Sequence, residues 1–220
     1  MSTISKDDYI KTIYELSILN GSVKPSQIAQ SLKVSKSAIT DMIKKLVRDE
    51  FVIRESTGLF LTKSGEKIAL NLIRKHRIWE TFLSKTLKLD WSEIHEEAEN
   101  LEHATSNFLI NKIDEFLSFP KTDPHGSPIP DINYQIDQTK IGEILLSKTE
   151  GSFVITAIND KDKSIIKLMN LLNIQLGTHL KIISKIESDN SLFVSIDGKE
   201  QILSLSIITK LYVKAVDVCS

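Results

Sequence analysis

Four of the chain's five histidines, His76, His95, His103 and His125, lie between positions 76 and 125, and each has acidic company. His76 and Glu80 are spaced i and i+4, which puts them on one face of a helix. Glu99, Glu102 and His103 follow the spacing i, i+3 and i+4, and His95 stands one turn before Glu99. Imidazoles and carboxylates at helical spacing on two neighbouring helices can converge on one cation. Asp8, far upstream on a first helix, is a further carboxylate suited to complete the shell. The donors are oxygen and nitrogen without thiolate or thioether, a set that suits Mn(II) or Fe(II). Zn(II), Co(II) and Cd(II) are expected substitutes in vitro. The plain alternative for EEAENLEH is a solvated acidic face.

These residues need helices to present them, and the chain has the signals. In 7–19 the pattern DDYIKTIYELSIL puts Ile10, Ile13, Tyr14 and Ser17 on a stripe, and Asn20-Gly21 ends the helix. Pro25 opens a second helix. Ser35 is a candidate N-cap for a third over 36–50, with Ile39, Met42, Ile43 and Leu46 facing inward. FVIRESTGLFLT reads as a hairpin about Ser56-Thr57-Gly58. Helix, helix, turn, helix, hairpin is the order of a winged helix-turn-helix.

Thr62 is placed to cap a long helix from about 63 to 88, Ser92 another, and LINKIDEFLSF a third. Phe108, Leu109, Ile113 and Phe116 add apolar surface, which a small helical unit often buries against a second copy. Four of the five prolines fall in FPKTDPHGSPIPDINYQID, a loop or linker. Beyond 142, SFVITAI, HLKIISKIE, LFVSIDG, QILSLSI and KLYVKAV are short β-type runs, with a helix KSIIKLMNLLNI between the first two. The expected architecture is α+β. A winged helix-turn-helix occupies 1–65 and a helical metal-binding and dimerisation domain 66–130. A linker at 131–141 leads to a small SH3-like β-barrel over 142–220.

Charge divides along the same lines. Residues 1–65 carry ten Lys/Arg against seven Asp/Glu, whereas 79–119 carry three against nine. A basic head suits phosphate and an acidic middle suits cations. The third helix would enter the major groove. Ser35, Lys36, Ser37, Thr40 and Asp41 are best placed for base edges, and Lys44, Lys45 and Arg48 for phosphates. The single cysteine, Cys219, fits a reducing compartment, and neither a signal peptide nor a membrane span is read, so a cytoplasmic protein is expected.

Several stretches together resemble the diphtheria-toxin-repressor family of metalloregulators, especially its three-domain manganese-responsive branch: DDYIKTIYEL, IAQSLKVSKSAITDMIKKL, GLFLTKSGE, RKHRIWETFL, EEAENLEH and FPKTDPHGSPIP. The resemblance implies a dimeric repressor of metal-uptake genes that binds palindromic operator DNA, with no small-molecule substrate. It also implies two metal sites. One would use Asp8, His76, Glu99, Glu102 and His103. The second would use Glu80, Asp123, His125 and, from the β module, Asp160, with His95 matching an ancillary ligand. Iron-responsive members have methionine and cysteine where this chain has Asp8 and Glu99, which favours manganese. The family often has cysteine at Asp123. Two-domain manganese regulators carry a glutamate where this chain has Lys11, which cannot ligate while protonated.

Two other classes fit parts of the pattern. A winged-helix regulator answering to a non-metal ligand would leave the acidic helix as plain surface. A zinc hydrolase built on His95-Glu96 would need a second histidine where Glu99 stands. Repression and activation read alike at this level, since the sign depends on where the operator lies.

Overall fold

The structure, a computed structural model, describes residues 5–137, 141–159 and 163–216. Asp160 and Cys219 lie outside the described residues. The chain separates into two compact units, residues 1–76 with 130–135, and 77–129 with 136–220.

In the first unit α1 (Lys6–Asn20) is closed at its start by a capping box. Ser5 Oγ accepts from Asp8 N, and Asp8 Oδ2 accepts from Ser5 N at 2.7 Å. Gly21, at φ 72°, ends the helix. Pro25 takes the first position of α2 (Pro25–Leu32), where its missing N–H costs nothing. Ser35 caps α3 (Lys36–Arg48), as its spacing predicts. Strands β1 (Val52–Glu55) and β2 (Gly58–Leu61) pair antiparallel in the register Val52↔Leu61 to Glu55↔Gly58. Val23 bridges Leu59 beside them. Gly58 sits at φ 150°, where a Cβ would meet Val23 O at 3.0 Å, so the wing needs glycine there. Ile10, Ile13, Ile28, Ile39, Leu46 and Leu59 form the centre of one core, with Tyr9 added to the expected stripe and Tyr14 and Met42 half-buried.

Helix α4 (Lys63–Lys85) runs through the division. Thr62 Oγ1 accepts from Gly65 N at 3.1 Å, the predicted cap, and the helix ends three residues before the expected 88. The second unit continues with α5 (Trp91–Ala104) and α6 (Asn107–Phe116). Ser92 is not the cap of α5: the helix already includes Trp91, and Asp90 N donates to Glu93 Oε2 at 3.3 Å. Glu93 thus reaches back to the amide that precedes the helix.

The remaining elements are β3 (Glu143–Ile144), β4 (Gly151–Ile158), α7 (Lys163–Leu171), β5 (His179–Ile186), β6 (Ser191–Ile196), β7 (Lys199–Leu203), α8 (Leu205–Ile208) and β8 (Leu211–Ala215). The strands form one antiparallel sheet in the order β3-β8-β4-β5-β6-β7. Bulges at Ile155/Ala157 and Ile182/Ser184 bend it. Phe153, Ile155, Leu180, Val194, Leu203 and Val213 share its core with Met169 of α7 and Ile208 of α8. QILSLSI is not one strand. Pairing with β6 stops at Leu203, and Leu205–Ile208 turn into a helix that buries Ile207 and Ile208.

Candidate metal centre and nucleic-acid interface

Three segments of the second unit build an acidic, imidazole-rich centre. Helix α4 supplies Glu80, buried to 2% exposure. His76, the last residue of the first unit, is also buried and precedes Glu80 by one turn of the same helix. Helix α5 supplies His95, whose Nδ1 lies 3.2 Å from Glu80 Oε1 and whose Nε2 lies 3.9 Å from Glu99 Oε2. The loop after α6 supplies His125, whose Nε2 is 3.9 Å from Glu80 Oε1. His95 therefore touches both predicted sets at once, instead of standing only beside Glu99. Further along α5, Glu102 is fully buried and lies 3.5 Å from the imidazole of His103. Glu99 is exposed by more than half and His103 is exposed as well, so only Glu102 of the three-residue motif lies in the core.

Sequence reasoning missed two supporting side chains. Trp91 stacks on the His125 ring at 4.7 Å between centroids and 18° between planes. Arg77 donates to Pro128 O and lies 3.6 Å from Asp123 Oδ2. Arg77 had a signal, a cation at the edge of an acidic stretch. Trp91 had none, because a lone aromatic before a helix says nothing about what it will stack on. Asp160 cannot be placed, being outside the described residues. Asp8 belongs to the first unit, where it serves the capping box of α1.

Whether these residues suit a divalent cation can be judged from their chemistry. Glu80, Glu102 and Asp123 are buried carboxylates, and His76 and His125 are buried imidazoles. Such a concentration is costly unless countercharge or coordination offsets it. Oxygen and nitrogen donors at these spacings fit a hard divalent ion.

The first unit presents a different surface. Ser35, Lys36, Ser37, Thr40, Asp41, Lys44, Lys45 and Arg48 are all exposed along α3, while Ile39, Ile43 and Leu46 hold its inner face. Several of the eight are partly engaged. Ser35 Oγ accepts from Ala38 N and lies 3.0 Å from Ser37 Oγ, so its first role is the cap. Thr40 Oγ1 donates to Lys36 O. Asp41 lies 3.8 Å from Lys44 Nζ, and Arg48 Nε donates to Asp49 Oδ1 at 3.2 Å.

Known proteins match at both levels. The model described as "Iron dependent repressor, N-terminal DNA binding domain" matches residues 1–58, and "Iron dependent repressor, metal binding and dimerisation domain" matches 62–131. The HTH-type transcriptional regulator MntR of Bacillus pumilus is 35% identical over 141 residues, covering 63% of this chain and 97% of that protein. MntR of Bacillus subtilis is 36% identical over 124 residues, covering 56% and 87%. Solved structures match further. The manganese regulator SloR gives a TM-score of 0.87 at 30% identity, over 98% of this chain and 100% of that one. A manganese-dependent transcriptional repressor in complex with manganese gives 0.89 at 30% identity, over 96% and 100%. The Bacillus likeness leaves over a third of this chain unmatched, whereas these structures take in nearly all of it, β module included. The relatives are transcriptional regulators, and the hydrolase reading of His95-Glu96 falls with that. The chain belongs to the iron-dependent, diphtheria-toxin-repressor family of metal-dependent transcriptional repressors.

Proposed function

We propose that this chain is a manganese(II)-responsive repressor that binds palindromic operator DNA as a homodimer in the cytoplasm and controls metal-uptake genes. The observation that carries the reading is the burial of carboxylates beside imidazoles on α4, α5 and the loop after α6, in a family of metal-dependent repressors. Asp8, His76, Glu99, Glu102 and His103 would hold one cation. Glu80, His125 and Asp160 would hold a second, with His95 beside Glu80. A bound divalent ion supplies positive charge and coordination positions that offset the repulsion among these carboxylates. Fe(II) is the alternative effector, and relatives solved with Zn2+ and Cd2+ support those ions as substitutes in vitro.

The residues themselves do the rest. Asp8 stands at the start of α1, which packs in the same core as α3, so ligation through Asp8 restrains the DNA-reading unit. Lys36, Ser37, Thr40 and Asp41 reach base edges, and Lys44, Lys45 and Arg48 hold phosphates. On α6, Phe108 is 75% and Phe116 67% exposed in the single chain, an apolar face suited to a second copy. Dimerisation then sets the two α3 helices at half-sites about 34–36 Å apart. Metal can shift operator binding only by its differential affinity for the two states, typically ~1–3 kcal/mol of coupling.

The test is operator binding titrated with Mn(II), Fe(II) and Zn(II) under anaerobic, reducing conditions, for wild type and Glu102→Ala. Metal-dependent binding by wild type and its loss in the variant is expected. Equal binding by both proteins, with or without metal, would overturn the reading.

A further inference from the structure

The Asp123 carboxylate already has occupants. Its Oδ1 accepts from His125 N at 2.8 Å and from Ser127 N at 2.9 Å. The same residue closes the turn through its backbone, with Asp123 N donating to Ser127 O and Gly126 N donating to Asp123 O. Its Oδ2 faces Arg77 Nε at 3.6 Å, and Arg77 also donates to Pro128 O at the far side of the turn. The Asp123 side chain is 3% exposed.

The turn is pressed against its surroundings. Gly126 has φ +87°, and a Cβ there would collide with Thr156 O on β4. His125 O accepts from Ile158 N at 2.9 Å. With Trp91 stacked on its ring, His125 is left pointing Nε2 at Glu80.

We infer that Asp123 is a positioning residue, not a metal ligand: with Arg77 it forms a clamp that locks the turn and aims His125 at Glu80. The guanidinium 3.6 Å from Oδ2 already faces that oxygen with positive charge, and a cation ligated there would be repelled by it. Oδ1 meanwhile is the acceptor on which the turn is built. The resemblance to manganese regulators implies a ligand at this position; the hydrogen bonds here give the aspartate other work. Groups that orient a ligand in this way set metal affinity through it, commonly 10–100-fold.

The inference rests on the proposed second cation site at Glu80 and His125, and the experiment separates the two. Mn(II) binding to the full chain is counted by calorimetry and electron paramagnetic resonance for wild type, His125→Ala, Asp123→Asn, Asp123→Ala and Arg77→Gln. Asparagine keeps an oxygen for the two turn amides but is a poor Mn(II) ligand. The expected result is that Asp123→Asn, which keeps both turn bonds and loses only the ion pair, holds the second Mn(II) clearly better than Asp123→Ala, which weakens it about 10–100-fold, and that Arg77→Gln, which loses the bond to Pro128 O as well as the ion pair, also weakens it. Loss in Asp123→Asn as large as in Asp123→Ala makes the carboxylate a ligand and sinks the inference. So does an unchanged second site in Asp123→Ala or in Arg77→Gln. Should wild type bind one Mn(II) per chain, and His125→Ala the same, the two-site reading fails by itself. Amide exchange in metal-free protein then decides the clamp. Protection of the His125 and Ser127 N–H groups survives Asp123→Asn and is lost in Asp123→Ala if the clamp exists; equal protection in both ends it.

Discussion

Helices α3 and α5 are nearly the same length, 13 and 14 residues, and both are rich in charge, yet they treat it oppositely. Every polar residue proposed for DNA on α3 stays in water, and its inner face is aliphatic. Helix α5 buries Ile94 and Ala98 as α3 buries Ile39 and Ile43, but it also takes Glu102 wholly out of water. Exposed charge on α3 keeps its hydration until it displaces the counterions condensed on a polyanion. Buried charge on α5 is tolerable only with a partner close by. Charge patterning alone does not separate the two roles; burial does.

That contrast breaks most visibly at α5. If the proposed site holds, Glu102→Ala should lower Mn(II) affinity by more than about a hundredfold, because a fully buried carboxylate has no substitute from solvent. Glu99→Ala, at an exposed carboxylate, should lower it less, and calorimetry on both variants ranks them. The reverse ranking would mean that burial does not mark the stronger ligand. On α6, Phe108→Asp together with Phe116→Asp should weaken the dimer roughly thirtyfold or more, the ~2 kcal/mol expected for central aromatic anchors. Sedimentation equilibrium reads it, and an unchanged dimer would place the interface elsewhere. On α3, Lys44→Ala with Lys45→Ala should weaken specific and non-specific DNA binding alike. The slope of log affinity against log salt should fall by about one for each phosphate that is no longer neutralised. Mn(II) affinity should not move. A change confined to one operator position would make these lysines base readers instead.

Legibility differed along the chain for physical reasons. The first unit was readable because each boundary has a local cause: Gly21 and Pro25 punctuate, Ser35 and Thr62 cap, and the hairpin alternates around Ser56-Thr57. Helical spacing likewise put His76 with Glu80 and Glu102 with His103. What it could not give was long-range company. That His95 sits 3.2 Å from Glu80, and that Arg77 meets Asp123, depends on how α5 and the loop after α6 pack against α4. QILSLSI misled because β-type composition continues past the last residue β6 can pair, and a helical turn starts after Ser204 instead. The start expected at Ser92 was late because α5 already begins at Trp91, with Glu93 accepting from Asp90 N.

Smaller effects test the frame of α3. Ser35→Ala removes the hydroxyl that accepts from Ala38 N, so it should cost ~1 kcal/mol of stability, a few degrees in melting temperature. Its operator affinity should fall only as far as the frayed helix start dictates, and Ser35→Asp, another good cap, should restore the melting temperature. Restored stability without restored operator affinity would show that the hydroxyl also touches DNA.

The smallest effect lies at the other end of α3. Lys6 Nζ donates to Asp49 Oδ2 at 2.8 Å and lies 4.1 Å from the centre of the Phe51 ring. Lys6, and then Arg48, hold the Asp49 carboxyl below its ordinary 3.8. A carboxyl whose pKa is depressed by folding adds stability above its unfolded pKa and loses it as pH falls through the folded one. The Lys6–Asp49 link should therefore be fully present at neutral pH and fade only below about pH 4. Asp49→Asn should melt slightly below wild type at pH 7, and the gap should narrow as pH falls below the carboxyl's ordinary range. A gap that instead widens in acid would mean that the carboxyl favours its protonated form, and that α1 is not tied to the end of α3 by this charge.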